Sequence, residues 1–461
     1  MCHQFDEDHM DYQDYINARR FTDIRAGFDV DESQLTATLK PHQKYLVKWA
    51  LLKGRAAIFA DTGLGKTRML AEWARLVSAH TGGRVLFLSP LAVAPQTVIE
   101  AAWVGVDLRY ARQDAGDKFT ITNYEMIDKF DMSQFVAIVL DESSILKNFD
   151  GRTRAQITTA AENIPYRLSC TATPSPNDYM ELGTQSEFLG VMPRSEMLAM
   201  FFKHDGSDTA TWALKGHGRA KFWEWLSTWA AVIRSPADLG LDGSEYQLPK
   251  LHVHYHEIPV DAPIARGMTE RRNAKRASMD QRVSMAAMFA NLTTDPVLVW
   301  CHLNDESTKL AELIPDAVEV CGSDKMDVKE YSLLAFSGGG KRVIITKPSI
   351  AGFGMNWQHC NTVIFAGLTD SFEQFYQAIR RCYRFGQKRE VFVHCFLSSA
   401  ERAVVENLIR KESQHNELSA ELSRYMAKHV YSNVVGTFRE YADHHPIAKI
   451  EVPYFLMENA A

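Results

Sequence analysis

Two series of short apolar runs, each run closed by turn residues and separated from the next by amphipathic helical spacing, constrain the fold of this chain more than any other feature. The first series is A-A-I-F-A (56–60), V-L-F-L (85–88), F-T-I-T (119–122), A-I-V-L (137–140) and R-L-S-C (167–170). The second is L-H-V-H-Y-H (251–256), V-L-V-W-C (297–301), V-I-I-T (343–346), T-V-I-F (362–365) and V-F-V-H-C (391–395). Brief apolar runs between helical stretches are the pattern of parallel strands buried on both faces, so each series predicts one doubly wound α/β sheet. A chain of 461 residues also exceeds one ordinary core and divides best into two domains of roughly 200 residues each.

The first turn of the first series carries chemistry. Residues 60–67 read A-D-T-G-L-G-K-T, after an apolar run and before the helical pattern R-M-L-A-E-W-A-R-L. Strand, glycine loop and helix in that order form a phosphate-binding loop. Thr62, Gly63, Leu64 and Gly65 expose backbone amides at a helix N-terminus, Lys66 neutralises β- and γ-phosphate charge, and Thr67 ligates Mg2+. The loop opens on Ala60 where the general pattern has glycine. Asp141 and Glu142 end the run F-V-A-I-V-L, so both carboxylates emerge at the sheet edge beside this loop. There Asp141 holds the metal and Glu142 orients and deprotonates the attacking water. Gln43, in L-K-P-H-Q-K-Y-L-V-K-W-A, precedes the loop by one helix, and its amide matches the donor and acceptor edge of adenine.

Some three hundred residues downstream lies Q-A-I-R-R-C-Y-R-F-G-Q (377–387). Arg381 and Arg384 are three apart, which on a helix places them on one face, able to reach phosphate oxygens from across a cleft. Arg380 reads equally as a phosphate ligand or a helix-surface residue.

Composition narrows the partners. Charged residues are 23% and hydrophobic residues 46%, the balance of a globular protein, with no apolar run of membrane-spanning length and no signal-peptide pattern at the start. A cytoplasmic protein without a membrane partner is expected. The net charge of −6 argues against a uniformly basic surface but permits a local phosphate track. Seven cysteines without a C-x-x-C pair read as reduced core thiols. The run R-G-M-T-E-R-R-N-A-K-R (266–276) is the densest basic segment; a solvated helix face is the plain reading and phosphate tracking the alternative. Phe222, Trp223, Trp225 and Trp229 at helical spacing read as core aromatics packed on the first lobe.

Together L-K-P-H-Q, D-T-G-L-G-K-T, D-E-S-S-I-L-K-N, S-C-T-A-T-P, A-G-F-G-M-N and Q-A-I-R-R-C-Y-R-F-G-Q resemble superfamily 2 helicase-like ATPases of the Swi/Snf type, from about residue 38 to 397. The resemblance implies two tandem RecA-like domains with a helical extension and a C-terminal helix, ATP and Mg2+ as cofactors, and nucleic acid, chiefly double-stranded DNA, as partner of a monomer. It implies that Ser169 and Thr171 couple the ATP site to lobe movement, that Gly352, Gly354 and Asn356 face the γ-phosphate and nucleic acid, and that Gln377, Arg381 and Arg384 complete the ATP site. Nucleic-acid contacts are expected from 90–96, 122–125 and 300–304, largely through backbone amides. Two departures stand out. Ser144 replaces a histidine common among relatives, and the stretch from T-A-T-P to V-L-V-W-C is short for a nucleosome remodeller, so the build looks similar to helicase-like proteins of bacteriophages and prophages.

The expected organisation is an acidic segment (1–37), a first lobe (38–235) with a helical extension (185–235), a linker (236–250), a second lobe (251–398), and a C-terminal helix and tail (399–461). The expected activity is ATP-driven tracking along duplex DNA, with a strand-separating DNA or RNA helicase and a slowly turning ATP-gated clamp as alternatives. Lys66→Ala and Glu142→Gln should each abolish ATP turnover while DNA binding persists, as measured by phosphate release and fluorescence anisotropy; unchanged turnover in either variant overturns the site assignment.

Overall fold

The computed structural model describes residues 26–434 except 92, 148–150, 206–207, 262–263, 266 and 352–354. The first 25 residues and those after 434 lie outside it, and with them most of the acidic segment. The apolar runs form two all-parallel sheets. In the first, β1 (Arg55–Ala60), β2 (Arg84–Ser89), β3 (Arg109–Tyr110), β4 (Phe119–Asn123), β5 (Phe135–Asp141), β6 (Tyr166–Thr171) and β9 (Ala230–Ile233) lie in the order β3-β4-β2-β5-β6-β1-β9. Between β6 and β9, β7 (Phe202–Asp205) and β8 (Asp208–Leu214) form a separate antiparallel hairpin. In the second sheet, β10 (Leu251–Ile258), β11 (Val297–Trp300), β12 (Ala317–Glu319), β13 (Val343–Thr346), β14 (Thr362–Phe365) and β15 (Val391–Ser398) lie in the order β10-β15-β14-β11-β13-β12. These are two tandem RecA-like lobes, each with its strand ends aimed at a shared cleft.

The extension expected to be helical is mixed. It holds helices at Leu182–Leu189, Arg194–Phe201 and Arg219–Trp229, the β7–β8 hairpin, and β9, which pairs with β1 from Ala57↔Ala230 to Ala60↔Ile233. A-A-V-I follows directly on a tryptophan-rich helix, so period alone does not separate it from that helix. Phe222, Trp223, Trp225 and Trp229 are all buried, and Phe59 of β1 meets Trp229 edge to face. They are core, as read. The described cysteines are free, and all but Cys321 are buried.

Four helices matter for the cleft: α1 (Pro41–Lys53), α2 (Lys66–Thr81), α3 (Phe372–Ile379) and α4 (Arg402–Val434). The apolar stripe of α4 serves both lobes, with Val404 and Leu408 in the core of the second and Leu418 and Leu422 in that of the first. At ~100° per residue the two pairs face directions only about 40° apart around the helix, but they are spaced by roughly 15 Å along its axis, so one helix can bury them against two surfaces. The single Tyr179 hydroxyl proton is shared between the Gln414 carbonyl (3.0 Å) and Glu417 Oε2 (2.9 Å), while Lys411 Nζ joins Asn177 Oδ1 (2.9 Å) to the Asp370 carbonyl (3.1 Å). Among the described residues no helix is long and apolar enough to cross a membrane.

Leu418→Ala or Leu422→Ala should destabilise the protein by about 2–5 kcal/mol through lost burial and a residual cavity. Urea unfolding of each variant measures this, and an unchanged midpoint would mean that α4 is not docked on the first lobe.

Candidate nucleotide-binding cleft

The phosphate loop lies between β1 and α2. Gly63 (φ +89°) and Gly65 (φ +78°) adopt left-handed backbone, and both are closely approached. A Cβ on Gly63 would lie 2.8 Å from Phe385 Cβ of the second lobe, and one on Gly65 would lie 2.2 Å from Gln43 Nε2. Glycine is therefore required twice, by conformation and by space. Lys66 Nζ donates to the Ala60 and Asp61 carbonyls at 3.0 and 3.4 Å. Thr62, Leu64 and Thr67 complete the turn, Leu64 buried and the two threonines half-buried. Gln43 sits against the loop rather than reaching outward: its Nε2 donates to the Leu64 carbonyl (3.0 Å) and its Oε1 accepts from Lys40 N (2.9 Å). His42 Nε2 lies 3.2 Å from the same Leu64 carbonyl.

β5 delivers Asp141 and Glu142 beside this loop. Thr97 Oγ1 donates to Asp141 Oδ2 (3.1 Å), and buried Tyr124 donates its hydroxyl to the Asp141 carbonyl (2.5 Å). Glu142 has φ +55°, a left-handed conformation costly for a residue with a Cβ. Thr171 Oγ1 donates to its Oε2 (3.3 Å). Burial pushes the Glu142 carboxyl up to about 7 against the opposing charge of Lys66, and burial also raises Asp141. A carboxyl titrating near neutrality is suited to accept a proton.

The second lobe contributes the turn after α3. The helix ends at Ile379, so Arg381 and Arg384 are not on a helix face, contrary to the sequence expectation. The chain turns because its backbone pairs with the segment before β14: Trp357 N donates to the Arg381 carbonyl (2.9 Å), and Gln387 Nε2 reaches the Gln358 (3.0 Å), Cys360 (2.9 Å) and Cys382 (3.2 Å) carbonyls. The two guanidiniums still converge, Nη1 of each donating to the Met355 carbonyl at 3.3 and 3.4 Å. Arg381 also donates to the Gln377 side chain (2.9 Å), and burial lowers its pKa to about 10 with Arg384 alongside. Gln377 Nε2 and Arg384 Nε are buried without a protein partner. Unpaired buried donors call for an anionic or acceptor ligand.

Arg380 takes neither sequence-derived role. It forms an ion pair with Asp61 of the phosphate loop at 2.8 Å, and Tyr376 donates its hydroxyl to the same carboxylate at 2.6 Å. Burial works against the Asp61 charge, but Arg380, Tyr376 and Thr62 N outweigh it and lower the pKa. Asp61, Tyr376 and Phe385, to which the sequence assigns no role, thus shape the cleft across the lobes, while Gln387 holds the arginine turn within the second lobe. Asp61 and Phe385 lie inside quoted motifs, but only a fold that apposes the lobes pairs them.

Gly352 and Gly354 lie outside the described residues, and Asn356 is exposed. Ser169 Oγ is buried without a partner at the end of β6. Among the expected nucleic-acid contacts, Tyr124 and Trp300 are core side chains. The amides of His302 and Leu303 already donate to Glu306 Oε2 at 2.8 and 3.0 Å, so the 300–304 turn offers fewer free amides than expected. In the basic run, Arg271 pairs with Asp370 (2.6 Å) and Lys275 donates to the Leu368 carbonyl, leaving Arg272 and Arg276 exposed. Among the described residues no cluster of three metal-ligating side chains occurs.

Residues 281–386 match the helicase conserved C-terminal domain. The matched stretch lies within the second lobe and includes α3 and the arginine turn. The chain is 23% identical over 440 residues to "Putative protein p41" of Acyrthosiphon pisum secondary endosymbiont phage 1, covering 78% of this chain and 92% of that one. Among solved structures it is similar to the Sulfolobus solfataricus SWI2/SNF2 ATPase core in complex with dsDNA, at 16% identity and TM-score 0.42, over 89% of this chain and 98% of that one.

Gln387→Leu should remove the amide shared by the Gln358, Cys360 and Cys382 carbonyls and cost about 1–3 kcal/mol, with turnover falling as the arginine turn loosens. Thermal unfolding and phosphate release measure the two effects, and a variant that keeps both would show that Gln387 does not hold the turn.

Proposed function

We propose that this protein is an ATP-driven motor that tracks along duplex DNA, hydrolysing ATP in the cleft between its lobes. The observation that carries this reading is the convergence of Lys66, Asp141 and Glu142 from the first lobe with Gln377, Arg381 and Arg384 from the second, a set in which buried donors of the second lobe lack protein partners.

The residues fit ATP and Mg2+. The loop amides and Lys66 would hold the phosphates, while Thr67 and Asp141 would hold the ion, whose positive charge would offset that of the phosphates. Glu142, fixed by Thr171, takes a proton from the attacking water as its oxygen bonds to the γ-phosphorus and the bridging oxygen leaves with ADP. Arg381 and Arg384 exchange the Met355 carbonyl for phosphoryl oxygens and stabilise the charge spread over them. Because these cations belong to the other lobe, hydrolysis requires closure, which links each turnover to relative lobe movement. The Swi/Snf-type motif string, with its Gly386-Gln387 ending, supports tracking on duplex DNA rather than strand separation.

ATPase measured in parallel with single-stranded DNA, duplex DNA and RNA should show the largest stimulation by duplex DNA, and third-strand displacement from a triplex should proceed without opening a forked duplex. Unstimulated turnover would overturn the motor reading, whereas forked-duplex opening would identify a strand-separating helicase. Arg384→Ala should lower kcat by at least about tenfold, or roughly 1.4 kcal/mol of barrier, with a smaller change in ATP affinity.

A further inference from the structure

Glu373 is a buried carboxylate of the second lobe that no sequence motif assigned. It lies on α3 four residues before Gln377, hence on the same helical face, and is 5% exposed. Both of its oxygens are occupied from the first lobe: Oε1 accepts from Ser144 Oγ and Oε2 from Lys147 Nζ. These donors belong to the 3-10 turn Ser143–Lys147, which begins directly after Glu142. That turn is fastened to the first lobe by Gln185 Nε2, which donates to the Ser143 carbonyl at 2.8 Å, and by fully buried Leu146.

A continuous path results. Glu142 is held at φ +55°, the next-but-one residue Ser144 is held by Glu373, and one turn along α3 Gln377 receives Arg381 at 2.9 Å. A left-handed backbone at a residue with a Cβ persists only where its surroundings enforce it. On one side of Glu142 the chain continues back into β5; on the other, Gln185 holds Ser143 from the first lobe and Glu373 holds Ser144 and Lys147 from the second. A carboxylate this buried is stable only when paired, and its partners here are across the cleft, so the contact exists only while the lobes are together.

We propose that Glu373 is a positioning residue that grips the turn after Asp141-Glu142 through Ser144 and Lys147 and so sets the backbone of Glu142 only when the lobes are closed. The inference rests on the reading of the cleft as an ATP-hydrolysing site. It makes closure do two things at once: deliver the arginines, and fix the group that activates water.

Steady-state ATPase of the full chain with duplex DNA tests this. Glu373→Ala should lower kcat by about tenfold with KM for ATP within about twofold, since ground-state binding is untouched. Ser144→Ala added to Glu373→Ala should bring little further loss, and the exchange Lys147→Glu with Glu373→Lys should recover several-fold over either single change. Glu373→Gln, which keeps an acceptor for Ser144, should fall between wild type and Glu373→Ala, and guards against a folding defect in the alanine variant. An unchanged kcat, a change confined to KM, additive losses, or an exchange no better than its singles would each overturn the inference. If wild type itself shows no DNA-stimulated turnover, the motor reading fails instead.

Discussion

Opposite charges brought from two separate sheets into one cleft are the constraint on which the architecture depends. Lys66, Asp141 and Glu142 leave the first sheet at its strand ends, and Arg381 and Arg384 leave the second lobe from a turn anchored beside β14. Asp141 and Arg381 are buried and Lys66, Glu142 and Arg384 half-buried in the closed arrangement, where an unpaired charge is costly. The first lobe supplies one cation with both carboxylates, and the second adds the two guanidiniums. The raised Glu142 and lowered Arg381 pKa values, each caused first by burial, mark how much desolvation the cleft imposes before a triphosphate and its counter-ion balance it. Parallel sheets suit this task because all their strand ends point the same way, so rigid edges rather than long loops set the spacing of the charges.

Closure is held at separate points that use different chemistry. At the phosphate loop, Asp61 takes Arg380 and the Tyr376 hydroxyl while Phe385 packs against Gly63, leaving no room for a side chain there. At the turn after β5, Glu373 takes Ser144 and Lys147. On the linker, Tyr246 lies between His42 of α1 and Phe385, with ring centroids 5.3 and 4.6 Å away. Asp61 and Glu373 meet groups on the opposite lobe within or next to the segments that carry Lys66 and Glu142, so closure and the geometry of the proposed chemistry are set by the same short segments.

Much of this was legible in the sequence, and the exceptions have physical causes. Buried parallel strands announce themselves as apolar runs, which is why both sheets were readable, while β3 is two exposed residues and β9 follows a tryptophan-rich helix without a break in apolarity. The phosphate loop and the Asp141-Glu142 pair were readable because their backbone requirements fix residue types at fixed offsets. Arg381 and Arg384 were readable as a pair but not as a turn, since the break after Ile379 is imposed by Gln387 and by Trp357 N, neither of which leaves a local helix-stop signal. Gln43 was matched to adenine, yet its amide is engaged with Leu64 and Lys40 N. Glu373, Arg380 and Tyr376 were opaque because their partners lie more than two hundred residues away, on the other lobe.

The C-terminal helix limits how the lobes can move. The second lobe is tied to the first at both ends, through the linker before β10 and through α4 after β15. The Val404/Leu408 and Leu418/Leu422 pairs are separated by a rigid span of roughly 15 Å at 1.5 Å rise per residue. Full separation of the lobes would strip one pair from its core, at roughly 1.5–3 kcal/mol for each leucine side chain, and would also break the Tyr179 and Lys411 contacts. A small pivot of the second lobe about the helix spares this apolar joint and breaks instead the contacts at Asp61, Phe385 and Glu373. Those contacts are short-range, and the polar ones directional, so a few ångströms of rotation release them completely. The helix thus biases the chain toward small pivoting movements, in which the cleft opens at the phosphate loop and at Glu142 while the hydrophobic joint behind it stays closed.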